Sequence, residues 1–170
     1  MQNERKDVIT IYEIMKGIHR HTNFSINKLI RYRGLVSEIQ LKAVIKNMND
    51  HIKINGAQRI GSIIVAIHVL HIGALDIEVF LTIDKEVPST EEFNYLPMLE
   101  IGECISTEFK GVPFQLPNLY TEMYYWARNR SLDIIYPYYI VFKSDPECIW
   151  GMCGVEAGVW VGVGKCKNQQ

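Results

Sequence analysis

Two short stretches of this chain set a carboxylate near a large aromatic at even spacing. In 77-IEVFLTI-83, Glu78 and Phe80 are two residues apart, and in 155-VEAGVWVGV-163, Glu156 and Trp160 are four apart. Side chains alternate across a strand with a period of two, so each pair would share one face. A carboxylate under an aromatic wall favours a hydrophobic cation, through charge pairing plus ~0.5–2 kcal/mol of cation–π attraction per ring. Tyr138, in 136-YPYY-139, is a further candidate. The plain alternative for Glu78 is a solvated residue on an open sheet face.

Other reactive side chains point to less. His19-x-His21 and His68-x-x-His71 are metal-type spacings, but neither has an evident third protein ligand, which a catalytic zinc site needs. The four cysteines, Cys104, Cys148, Cys153 and Cys166, contain no C-x-x-C pair and read as reduced and structural. No P-loop, G-x-S-x-G or dinucleotide-binding glycine pattern occurs. The expectation is therefore no metal, no cofactor and no dedicated catalytic residue.

Composition narrows the class. The chain has 170 residues, 48% hydrophobic and 22% charged, with a net charge of −1. That length suits one domain with a full core. The charge leaves no basic footprint for nucleic acid or an anionic membrane. The longest apolar run, 60-IGSIIVAIHVLHIGAL-75, is broken by two histidines and is too short to span. Glu13 and Lys16 interrupt the N-terminal apolar stretch where an export signal needs continuity. A cytoplasmic protein without nucleic-acid or membrane partners is expected.

The positioning elements follow from pattern. Segment 8–18 is apolar and fits either a strand or a short helix. Segment 26–34 alternates and ends at glycine, as a strand does. Ser37 and Gln40 form a capping-box signature; Leu41, Val44, Ile45, Met48 and Ile52 then recur at helical spacing, and Asn55-Gly56 is a stop. Two β-rich runs, 62–70 and 75–84, are separated by a turn. Residues 85–97 read as a polar crossover loop. Segment 98–111 reads as a strand bent at Gly102, followed by a helix that opens on proline and carries Leu119, Met123 and Trp126. Strands are expected at 136–143 and through 148–163.

The second half repeats the first. Tyr32-Arg33-Gly34 matches Phe109-Lys110-Gly111 at an offset of 77 residues, and Val79-Phe80 matches Val159-Trp160 at an offset of 80. Two β-α-β-β units in tandem fit the chain: an N-terminal extension (1–25), a first repeat (26–84), the crossover loop (85–97) and a second repeat (98–164), all in one domain.

These residues resemble the GyrI-like effector-binding domain, as a stand-alone member. Phe109-Lys110-Gly111 matches its aromatic-x-Gly strand end, Trp126 its mid-helix tryptophan, Ile135-Tyr136-Pro137 its turn and 157–163 its final strand. The resemblance implies an α+β fold of two pseudo-twofold repeats, with antiparallel sheets forming a groove and two helices behind. It implies a small amphipathic or cationic ligand in that groove. Strand parity would then place Glu78, Phe80, Glu156 and Trp160 on the groove face, with Tyr138 also at the ligand. The family's functional glutamate falls on Gly158 here, which puts its cation-binding and hydrolytic roles in doubt; by analogy with the fold alone, a small hydrolase would use Glu78 or Glu156 with a tyrosine such as Tyr138. A second reading, from a different class, is a protein–protein accessory role through the same face, in a secretion or toxin–immunity setting.

Overall fold

The computed structural model describes residues 17–166, apart from residue 72 and the side chains of residues 70 and 71. Most of the undecided segment 8–18 lies outside the described residues. The order is β1 (His19–His21), β2 (Ser25–Val36), α1 (Glu38–Ile54), β3 (Arg59–His71), β4 (Ala74–Ile83), β5 (Phe93–Glu100), β6 (Cys104–Gly111), a 3-10 turn (Pro113–Gln115), α2 (Leu116–Arg128), β7 (Leu132–Phe142) and β8 (Val155–Lys165). The fold is α+β. All eight strands join one sheet in the order β1-β6-β8-β7-β3-β4-β2-β5, and every pairing is antiparallel. The two halves, β2-α1-β3-β4 and β6-α2-β7-β8, have the same topology. β3 and β7 meet at the centre.

Local chemistry explains the helices. Ser37 accepts the Gln40 amide while the Gln40 side chain accepts the Ser37 amide, so the capping box is closed. Leu41, Val44, Met48 and Ile52 form the buried stripe of α1, and Leu116, Leu119, Met123 and Ala127 that of α2. α1 stops at Asn55, and Gly56 takes φ 67°, which glycine adopts without strain.

Both stripes press on one face of the sheet. Ile77, Val79, Leu81 and Ile83 of β4 and Val155, Ala157, Val159, Val161 and Val163 of β8 belong to that core, as alternation requires. A second, smaller cluster lies on the other face, built on Leu29, Ile64, Ala66 and Phe80.

Three boundaries differ from expectation. His19–His21, within the expected extension, pairs with β6. Phe93–Leu96, within the expected crossover loop, pairs with β2 as part of β5; Gly102 at φ 74° then breaks the chain between β5 and β6. Each leader strand thus borders the opposite half. Finally, residues 148–154 are irregular and only Val155–Lys165 forms β8. Cys148 and Cys153 are joined there as a disulfide, which corrects the reduced reading for this pair; Cys104 and Cys166 are free.

Met48 is fully buried in the core. Met48→Ala should cost about 2–5 kcal/mol in urea unfolding, and Ser37→Ala about 0.5–2 kcal/mol. A Met48→Ala midpoint equal to wild type would contradict this packing.

Candidate functional site

The seam between the halves is short. β3 and β7 pair only through Ile64–Val141, Val65–Ile140 and Ala66–Tyr139 among the described residues. A cavity opens beyond each end of this contact. At one end Arg59–Ser62 face Phe142–Asp145 around a polar notch of about 500 Å³, spanned by the Arg59–Asp145 ion pair. At the other end, Ile67, His68 and Val69 of β3 lie with Tyr136 and Tyr138 of β7 around about 570 Å³ of space. α2 adds Pro117, Tyr120, Thr121, Tyr124 and Tyr125, and the loop after β7 adds Trp150. That size is typical of a small-molecule site.

Local structure aims these residues. Tyr120 and Tyr124 are four apart on α2, as are Thr121 and Tyr125, so adjacent stripes of the helix reach the cavity. β3 carries a register shift between Ile67 and Val69 against β4. Such a bulge breaks strict alternation, so three consecutive residues can line one space.

The lining is aromatic. Tyr120 and Tyr138 stack with centroids 4.1 Å apart and planes 13° apart. Tyr136 meets Tyr138 edge-on at 5.7 Å, and Tyr124 meets Tyr125 edge-on at 5.5 Å. No Asp, Glu, Lys or Arg occurs among the described lining residues. Tyr138 donates its hydroxyl hydrogen bond to the Tyr120 carbonyl oxygen at 3.1 Å. The Tyr120 hydroxyl is buried without a hydrogen-bond partner, an arrangement that costs stability unless a bound group satisfies it. Burial pushes the pKa of both Tyr120 and Tyr138 well above the usual phenol value, because the phenolate would lose its water. At neutral pH they are hydrogen-bonding phenols, not bases.

Of the residues expected at the ligand, only Tyr138 lines this cavity; His68, read from sequence as one of a metal-type pair, lines it too. Glu78, Phe80, Glu156 and Trp160 line neither notch. Phe80 is 2% exposed and belongs to the far-face cluster, against which Leu96 and Leu99 of β5 pack, with the Tyr139 ring 6.3 Å from its own. Trp160 sits against His21 at 4.7 Å and Phe24 at 4.2 Å. Glu156 is an exposed partner of Lys110 at 2.8 Å, and that cation holds its carboxyl below the usual range. A Cβ on Gly158 would come within 3.1 Å of the Trp160 indole nitrogen, so the indole already fills the place a glutamate side chain would leave by.

Glu78 is neither solvated nor free. It is 8% exposed and meets Arg31 at 2.5 Å, His68 Nε2 at 2.7 Å and Arg33 at 3.7 Å. His68 therefore links this carboxylate to the aromatic cavity. Trp126, half-buried, lies outside the cavity under the Arg130 guanidinium at 3.9 Å. Tyr120, Tyr124, Tyr125, Tyr136 and Trp150 are not among the expected ligand residues; the tyrosines have one sequence signal, their crowding into 120–125 and 136–139, and Trp150 has none. Glu78→Gln keeps the shape but takes the charge partner from the Arg31 guanidinium, while Arg33 keeps Asp76 at 3.0 Å, so it should lower unfolding stability by about 1–3 kcal/mol. A denaturation curve superposing on wild type would remove the charge cluster from the account.

No protein-family model matches the sequence, and no curated protein is similar to it in sequence. The likeness is structural. EcmrR, solved with DNA in a transcription complex, superposes with a TM-score of 0.69 at 14% identity over 96% of this chain. This chain spans 63% of the EcmrR chain. The EcmrR C-terminal domain alone gives a TM-score of 0.62 at 12% identity, covering 88% of this chain and 99% of that one. A hydrolase from Listeria innocua gives 0.61 at 12% identity, covering 94% and 98%. With two like halves and one helix on each, this chain has the GyrI-like effector-binding fold.

Proposed function

We propose that this protein binds a small amphipathic or cationic molecule in the aromatic cavity at the β3/β7 seam. The observation that carries the reading is six aromatic side chains, Tyr120, Tyr124, Tyr125, Tyr136, Tyr138 and Trp150, around about 570 Å³ of space. Ring faces attract a desolvated cation without any carboxylate, and the same faces stack on a flat neutral body. The cationic preference is therefore attributed to the rings and not to Glu78 or Glu156, whose charges are already paired. The structural likeness to the EcmrR C-terminal domain, a GyrI-like effector-binding domain, supports the class.

The hollow is more open than enclosed, and it is its dense aromatic lining that supports a small molecule over protein docking on the same face. The hydrolase reading has the Listeria innocua fold in its favour. Against it stand the lack of a carboxylate in the described lining and the raised phenols of Tyr120 and Tyr138. No described helix is long and apolar enough to cross a membrane.

Calorimetry with crystal violet, a lipophilic aryl cation, and with its neutral leuco form tests this. Tyr125 and Tyr136 are 56% and 68% exposed, so replacing either should leave the fold intact. Tyr125→Ala and Tyr136→Ala should each weaken the cation by roughly three- to thirtyfold and the neutral form less. Trp160→Ala should leave both affinities unchanged. A loss on Trp160→Ala with none on the tyrosine variants would move the ligand to the other face of the sheet.

A further inference from the structure

We propose that Cys148 and Cys153 form a thiol–disulfide exchange site that sets the Trp150 wall of the cavity. The proposal rests on the reading of that cavity as a ligand site. Trp150 is the one lining residue among those described that comes from neither α2, β3 nor β7. It lies two residues after Cys148 and three before Cys153, inside the ring their bond closes.

The surrounding contacts show what that bond holds. Residues 148–154 have no strand or helix hydrogen bonds to fix them. Glu38, at the start of α1 in the other half, accepts the Ile149 amide at 2.6 Å and the Trp150 amide at 3.2 Å. The Phe114 amide donates to the Gly151 carbonyl oxygen at 3.2 Å, and the Phe114 ring lies 6.4 Å from that of Trp150. Gly151 takes φ 146°, a value that excludes side-chain-bearing residues, and its Cα faces the Cys148 sulfur. The ring geometry, the Glu38 contacts and the wall position are thus one arrangement. Opening the ring frees the backbone on both sides of Trp150, and every ligand that uses this wall must then order it on binding.

Both cysteines are partly buried, Cys153 against the core cluster, and the exposure that remains is the route an attacking thiolate would take to the bond. The exchange balances simply. Two thiols lose two protons and two electrons to a disulfide oxidant such as glutathione disulfide, which is cleaved to two thiols as the Cys148–Cys153 bond forms. A dithiol reverses it through a mixed disulfide.

The test uses the full chain in two states, oxidised by glutathione disulfide, or reduced by dithiothreitol and desalted without air. Alkylation after denaturation should show two fewer free thiols in the oxidised form. Amide hydrogen exchange at Ile149 and Trp150 should be slower in the oxidised form, and crystal violet should bind it roughly two- to tenfold more tightly. A Cys148→Ser/Cys153→Ser variant should match reduced wild type under both treatments; if it fails to fold, the two states of wild type supply the comparison alone. Equal amide exchange in the two states overturns the proposal, as does failure of glutathione disulfide to oxidise the pair. Crystal violet binding to neither form would overturn the ligand site itself, and the amide exchange would still decide whether the bond orders the loop.

Discussion

Three residue pairs hold the two halves of this protein in one sheet. Ile64, Val65 and Ala66 of β3 pair with Val141, Ile140 and Tyr139 of β7, and each of these β3 residues is fully buried. The contact is enough to merge the halves into a single core beneath both helices. It is too short to close the seam along its length. The strands that leave it open a space at each end, and the helix of the second half roofs the aromatic one. A longer β3/β7 ladder would fill the cavity with backbone hydrogen bonds.

The sheet keeps its charges away from that cavity. Arg31 and Arg33 of β2 pair with Glu78 and His68 of β3 hydrogen-bonds to it, so the burial of one carboxylate is matched by two guanidinium groups. Such a cluster is costly to break, which suits a structural part. Only His68 also touches the cavity. What remains for a ligand is ring surface, phenol hydroxyls and one imidazole. On the proposed reading, that lining would select shape and aromatic or cationic character, not a specific anionic partner.

Much of the fold is legible from periodicity. The Ser37–Gln40 box, the α1 stripe and the parity of β4 and β8 are local patterns, and local geometry enforces them. The repeat is legible because both halves use the same sequence devices before each helix. β5 escapes, since Pro97 and the polar residues before it read as a loop, while its strand character depends on β2. The site escapes for a related reason. Alternation assigns Phe80 and Trp160 to the face opposite the helices, correctly, but says nothing about which face holds a cavity. Phe80 is buried in the cluster that Leu96 and Leu99 pack against, Phe24 and His21 cover Trp160, and the opening arises where distant strands part. Tyr120 and Tyr124 give no distinct signal, because residues four apart on a helix have the same spacing whether they pack on the core or line a cavity.

The central claim is the place of the ligand, and a crystal structure with crystal violet bound tests it most directly. The account predicts density for the dye between α2 and the ends of β3 and β7, against Tyr120, Tyr136, Tyr138 and Trp150. Density on the opposite face, against Phe80, Trp160 and Glu78, would contradict it.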